Sequence, residues 1–408
     1  MRRRFGGLLL VPWLFACSSS DDGAPAGSGG TSAGGAGGTA SGGTASGGSP
    51  AGGAGGTSSG GAGSGGAGGT GGTSPAGAPI TAPALTWTWV DFPDAKCRDG
   101  SSTGIGVSLN PASTDLVIYL QGGGACFNAE TCAKNPSHFD AASFAKLGAG
   151  GIADRSKAEN PVRDFNMFFV PYCTGDIHVG NRPNGGGAAG VPANQRFVGY
   201  ANLSEYLSRI VPTVKGATRV LLTGESAGGF GSLLNYVHVQ NAFGDVPVTV
   251  IDDSGPPLAS TWVPTCMQNG LRQLWNLDAT LLAECGSACP KPDDYFESYV
   301  TFAAGKAPQR NLGLISSLGD DVISWFLGFG QNDCKGQSAL SPSQYQAGIE
   351  DFRDRIVKPF PKFGTYYLPG TEHTYLTQNA FYTLSVNGTK LTTWMANHLA
   401  GNPSHVKP

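Results

Sequence analysis

The sequence predicts an α/β protein in which a mostly parallel sheet carries helices on both faces, and three observations support that expectation. Short apolar, β-rich runs alternate along the chain with segments of helical spacing. Gly224-Glu225-Ser226-Ala227-Gly228 stands directly between one such run and one such helix. A carboxylate and a histidine then follow the last two runs, in the order that a hydrolytic sheet protein needs.

Arg2, Arg3 and Arg4, the apolar run 5–16 and then Cys17 form the three-part pattern of an export signal. The run falls short of the roughly 18 to 20 apolar residues that cross a bilayer as a helix. Leu14-Phe15-Ala16-Cys17 resembles a bacterial lipobox, so the expectation is a lipoprotein signal over 1–17, with lipid attached at Cys17. Residues 18–78 are rich in Gly, Ser, Ala and Thr, and beyond Asp22 they hold no charge and no aromatic ring. Such a stretch buries too little apolar surface to fold and reads as a tether. It would hold a domain of residues 79–408 away from an anchor in a bacterial cell envelope, outside the cytoplasm. The lipid is the only membrane attachment expected.

Lys and Arg number 26 against 29 Asp and Glu, a net charge of -3, with no basic run beyond the first residues. Nucleic-acid binding is excluded on that ground. Of nine cysteines, setting Cys17 aside leaves eight: Cys97, Cys126, Cys132, Cys173, Cys266, Cys285, Cys289 and Cys334. An even set in an exported chain reads as up to four disulfides. Short separation singles out Cys126 with Cys132 and Cys285 with Cys289. With no Cys-x-x-Cys pair and no histidine at metal-ligand spacing from these cysteines, the expectation is no metal and no cofactor. A monomer is expected.

Within 79–408 the buried strand candidates are 116–121, 166–171, 219–223, 247–252, 312–318 and 365–368, and helical spacing marks 202–214 and 227–241. The segment 258–308, with its Trp, Pro and Cys residues, reads as an irregular cap inserted over the C-terminal edge of the sheet. In its strand-to-helix setting, Gly-x-Ser-x-Gly is a nucleophile elbow. Ser226 sits on a strained turn, and the glycines are needed because side chains there would collide with the turn. Asp320 follows the run at 312–318, and His373 follows the run at 365–368. Asp320 would fix the tautomer of His373, which would take the proton of Ser226 and return it to the leaving alcohol. Asp321 and Asp333 are alternative acids; His138, His178, His238, His398 and His405 are the alternative bases. Oxyanion stabilisation is assigned to the backbone amides of Gly123 or Gly124, in the turn after the run at 116–121, together with that of Ala227.

Four segments make the chain similar to the pectinacetylesterase/Notum family of α/β-hydrolase-like carboxylesterases. They are YLQGGGAC ending at Cys126, PYCTGD over 171–176, GESAGG at the elbow and Asp253-Ser254-Gly255. The resemblance spans about residues 85–400. It implies a single α/β-hydrolase-like domain, a triad of Ser226, Asp320 and His373, and removal of acyl groups: acetyl groups from pectin in plant members, a fatty acyl group from a secreted protein in animal ones. Ala125 stands where the family usually has tryptophan before the cysteine. The expected function is therefore an extracytoplasmic serine carboxylesterase removing acyl groups, acetyl first, from an O-acylated polysaccharide such as pectin. One alternative is hydrolysis of a lipid, polyester or other longer-acyl ester. Another is a tethered carbohydrate-binding pseudoenzyme that stacks sugars on Trp87, Trp89 or Trp262.

Overall fold

A computed structural model describes residues 77–188, 190–289, 294–306 and 309–408. The Cys17 lipobox and all but the last two residues of the 18–78 tether lie outside the described residues.

The described chain builds a nine-stranded sheet. Its strands are β1 (Thr88–Lys96), β2 (Ser102–Ser108), β3 (Asp115–Leu120), β4 (Asn166–Val170), β5 (Arg219–Glu225), β6 (Val248–Asp253), β7 (Leu312–Ser317), β8 (Phe363–Leu368) and β9 (His405–Val406). They lie in the order β1-β2-β4-β3-β5-β6-β7-β8-β9. Pairing is antiparallel between β1, β2 and β4 and parallel from β4 through β9. All six expected strands are in this sheet, with ends shifted by one or two residues.

Alternation explains why the inner strands read as continuous apolar runs. On β3, Leu116, Ile118 and Leu120 enter one core while Val117 and Tyr119 enter another, so neither face meets water. The first core is closed by helix α1 (Gly199–Thr213), whose Leu203, Tyr206, Leu207 and Ile210 recur at helical spacing. The second is closed by the C-terminal helix Leu391–Leu399 through Leu391, Trp394 and Met395. Helices thus cover both faces, as expected.

Two expectations are corrected. The helix read over 227–241 is two: α2 (Ala227–Leu234) and α3 (Tyr236–Phe243), parted at Asn235. The Asn235 side-chain amide donates to the carbonyls of Gly231 and His178 at 2.9 and 3.1 Å; the first bond is local and competes with helix continuation, and the second ties the break to a distant loop. The segment 258–308 does fall between β6 and β7, yet it is largely helical: α4 (Thr265–Trp275), α5 (Leu281–Cys285) and α6 (Tyr295–Lys306). Met267, Leu271 and Trp275 form a buried stripe on α4, a spacing hidden by the polar residues between them.

Disulfides join Cys97 to Cys173, Cys126 to Cys132, Cys266 to Cys334 and Cys285 to Cys289. Both short-range pairings expected from spacing are present. Cys266–Cys334 ties α4 to the chain that follows α7 (Asp321–Leu327), across 68 residues. Among the described residues, no helix is long and apolar enough to cross a membrane.

Candidate active site

Ser226 stands between β5 and α2 at φ 55° and ψ -119°, a backbone state that only a tightly held non-glycine residue adopts. The adjoining glycines are required by close approach. A Cβ on Gly228 would sit 1.9 Å from the Leu120 carbonyl oxygen, and one on Gly224 would sit 2.4 Å from the same atom. The Ser226 N–H donates to the Asp253 carbonyl at 2.7 Å, so the elbow is pinned between β3 and β6, the strands flanking β5. The start of α2 leaves helix N–H groups beside the hydroxyl.

Asp320 ends the loop after β7 and is the N-cap of α7. It is fully buried, and its two oxygens have separate tasks. Oδ1 accepts from the Ile323 N–H at 2.9 Å, and Oδ2 accepts from Nδ1–H of His373 at 2.7 Å. With the Nδ1 proton so held, the lone pair lies on Nε2. That nitrogen is buried and has no hydrogen-bond partner among the described residues. Asp321 is exposed on the first turn of α7, and Asp333 is 88% exposed beside Lys335. Of the three acids, the structure brings Asp320 to the imidazole.

The other histidines are engaged elsewhere. His138 is exposed between Asp99 and Asp140. His178 donates from Nε2 to the Gln121 carbonyl at 2.9 Å, at the entry to the glycine turn, and burial lowers it to about 4. His238 stacks on Tyr200 and meets Ser204; burial lowers it to about 4 as well. His398 lies against Trp394 in the second core, and His405 meets Thr365 at the sheet edge.

Gly124 and Ala227 line the same cavity as Ser226. Gly123 lies beneath Tyr172 and Pro136: a Cβ there would come within 2.8 Å of the tyrosine ring. Its carbonyl accepts from the Asn135 side-chain amide at 2.7 Å. Both glycines hold positive φ, 151° for Gly123 and 79° for Gly124. The turn is a fixed shape, closed just beyond by Cys126–Cys132 and by the Cys126 N–H bonded to the Gly175 carbonyl at 2.8 Å.

Beyond Ser226 the cavity is almost wholly apolar. Ala125 and Phe127 come from the glycine turn, Met267, Leu271 and Trp275 from α4, Phe296 from α6, and Ile323, Phe326 and Leu327 from α7. Ala125 leaves open the space that a larger side chain would fill. Asn135, the α4 stripe and the carboxylate of Asp253 were not singled out by sequence reasoning. Asp253 lay within a quoted motif, but no spacing says what its side chain would hold.

Trp87 and Trp89 are not free platforms for sugars. Trp89 packs on Phe139 and Phe144, with ring centroids at 5.9 and 5.5 Å, and Trp87 meets Phe144. Trp262 packs against the first core. Among the described residues, no group of three or more His, Cys, Asp or Glu is arranged to hold a metal ion.

Curated relatives include the palmitoleoyl-protein carboxylesterase notum2 of Xenopus laevis, 31% identical over 146 residues, which are 34% of this chain and 29% of that protein. The palmitoleoyl-protein carboxylesterase NOTUM of Drosophila melanogaster is 27% identical over 231 residues, 52% of this chain and 34% of its own length. The matched stretches thus span about a third of these relatives. Among solved structures, the Wnt deacylase Notum from Drosophila superposes with a TM-score of 0.59 at 18% identity, covering 79% of this chain and 96% of that one. The fold is therefore the Notum-like α/β-hydrolase fold. Residues 84–291, about half of the chain, match the model of the family described as pectinacetylesterase, and on that match the chain belongs to the pectinacetylesterase family.

Proposed function

We propose that this chain is a serine carboxylesterase that works through an acyl-enzyme on Ser226. The observation that carries the reading is the strained Ser226 elbow, in one fold with His373, which is held by buried Asp320 and whose Nε2 is unpartnered among the described residues. In the first half-reaction Ser226 Oγ attacks the ester carbonyl and its proton passes to His373 Nε2. The negative oxygen forms beside the amides of Gly124 and Ala227, with Gly123 shaping the turn, a kind of contact worth about 10²- to 10³-fold in rate per donor. Collapse breaks the ester C–O bond, and the alcohol leaves with the proton from Nε2. Water then attacks the acyl-enzyme by the same route, giving the free acid and restoring Ser226. Asp320 holds the imidazole in the tautomer that both steps need.

The substrate reading from sequence is an O-acetylated polysaccharide such as pectin. The apolar cavity favours the second reading, an ester with a longer acyl chain, since an acetyl group would leave most of those side chains without a partner. The names of the relatives, palmitoleoyl-protein carboxylesterases, point the same way. A fluorophosphonate probe, with the adduct located by peptide mass spectrometry, tests the nucleophile: labelling should be confined to Ser226 and absent from Ser226→Ala. Well-folded protein that takes no label would favour the pseudoenzyme. A p-nitrophenyl ester series separates acyl lengths. A steep fall beyond acetyl supports the polysaccharide deacetylase, and a maximum at longer chains supports the second reading. Attachment of the mature chain to a bacterial envelope by lipid on Cys17 belongs to the same proposal. Metabolic palmitate labelling that survives Cys17→Ala would overturn that part.

A further inference from the structure

We propose that Asp253 is a positioning residue that clamps the loop bearing His373 against the nucleophile elbow; the inference rests on the reading of Ser226, His373 and Asp320 as the catalytic groups. Asp253 ends β6, beside Glu225 at the end of β5. Its backbone carbonyl takes the Ser226 N–H at 2.7 Å. Its side chain, fully buried, reaches the other way: Oδ2 accepts from the N–H groups of Tyr375 and Leu376 at 2.7 and 2.8 Å, and Oδ1 from the Ser254 hydroxyl at 3.1 Å. One residue therefore grips the nucleophile through its main chain and the base-bearing loop through its carboxylate.

That loop needs holding. Thr374, directly after His373, has φ 68°, which a β-branched residue resists. The bonds around it converge. Glu225 accepts from the Thr377 hydroxyl at 2.8 Å, and the Ser317 hydroxyl donates to the Glu372 carbonyl at 2.5 Å. Asp253 supplies the two bonds closest to the strained peptide on its C-terminal side, and a buried carboxylate makes stronger bonds to N–H groups than a neutral acceptor does.

The charge on that carboxylate is poised. Burial pushes Asp253 up to about 7; the Leu376 and Tyr375 amides oppose the rise, nearby Glu225 adds to it, and His373 opposes it. Asp252 on the same strand, Tyr119 on β3 and Tyr375 are the other titratable neighbours. Below neutrality Asp253 gains a proton and its grip on the two amides weakens. The acid limb of kcat/KM then carries the titration of Asp253.

Asp253→Asn keeps the shape and removes the charge. The expected result is a kcat lowered about 100-fold at pH 8, the scale set by small misplacement of a catalytic group, with KM within about threefold and the Asp253 contribution gone from the acid limb. Wild-type kcat with an unchanged limb would overturn the proposal. Should this variant fold poorly, exchange in the wild-type protein decides. Protection factors of the Tyr375 and Leu376 amides, corrected for intrinsic rate, should fall as pH drops from 8 to 6, while the Ile315 amide in β7 keeps its own; unchanged protection at all three rejects the clamp. Ser226→Ala serves as the separate control. If it still hydrolyses ester, the catalytic reading itself has failed; if it is dead while Asp253→Asn is fully active, only the clamp has.

Discussion

Replacing Asp320 by asparagine tests the site through an atom with two tasks. The new amide has one acceptor where the carboxylate had two, so it must choose. With its oxygen on the Ile323 N–H the helix cap survives, but the NH₂ then donates to His373 Nδ1 and drives the imidazole proton to Nε2, where the ring cannot act as a base. With its oxygen on His373 the tautomer is right, but two donors face each other at the start of α7. That placement loses the cap, about 1 kcal/mol, and leaves a buried N–H unsatisfied, about 1 to 3 kcal/mol. The productive form is thus disfavoured by roughly 2 to 4 kcal/mol, or about 30- to 1000-fold. Loss of the negative charge beside the imidazolium adds to this, so kcat/KM on a p-nitrophenyl ester should fall by about 10³- to 10⁴-fold. Thermal stability should change by no more than about 1 kcal/mol, because the dominant placement keeps the cap. A loss under tenfold, or an equal loss in Asp321→Asn or Asp333→Asn, would refute the assignment.

Three further outcomes follow from the geometry. Ala125→Trp should fill the wall of the cavity and move the best p-nitrophenyl ester to a shorter chain, leaving activity on acetyl ester within about tenfold; an unmoved chain-length profile would mean that the acyl group lies elsewhere. Burial lowers His398 to about 3, whereas the unfolded chain binds a proton near pH 6.5, so its contribution is intact above about pH 6.5 and is lost as pH falls toward 3. Urea unfolding of His398→Leu between pH 6 and 4 should therefore show a pH dependence flatter by about 1.4 kcal/mol per pH unit, and an identical slope in both proteins would contradict it. The double variant Cys266→Ser and Cys334→Ser opens a loop of 68 residues, which should lower stability by about 4 kcal/mol on the chain-entropy account. Calorimetry that finds no shift would mean that packing of α4 and α7 already holds the cap.

The sheet and the nucleophile were legible because each leaves a local trace. Apolar runs of strand length mark the six inner strands, and Gly224 and Gly228 mark a turn too tight for side chains. Asp320 and His373 were legible by order along the chain, since loops at the C-terminal ends of successive parallel strands meet at one edge. The two antiparallel strands at one end of the sheet were not: β1 holds a proline and three charges, and β2 holds two glycines, so neither shows a clean period. The break at Asn235 depends on a carbonyl of His178, 57 residues away, and the Asp253 contacts on Tyr375 and Leu376 join residues 122 and 123 apart. Such bonds exist only after the chain has closed.

The elbow and the cavity beside it differ in how freely a lineage could alter them. Neither glycine of the elbow accepts even one added carbon, because the Leu120 carbonyl already occupies that space. The cavity walls are supplied by α4, α6, α7 and the turn after β3, from which residues such as Met267, Phe296 and Phe326 line the space. Selection on acyl preference can therefore act at the walls one substitution at a time, while the reaction chemistry is inherited as an indivisible block.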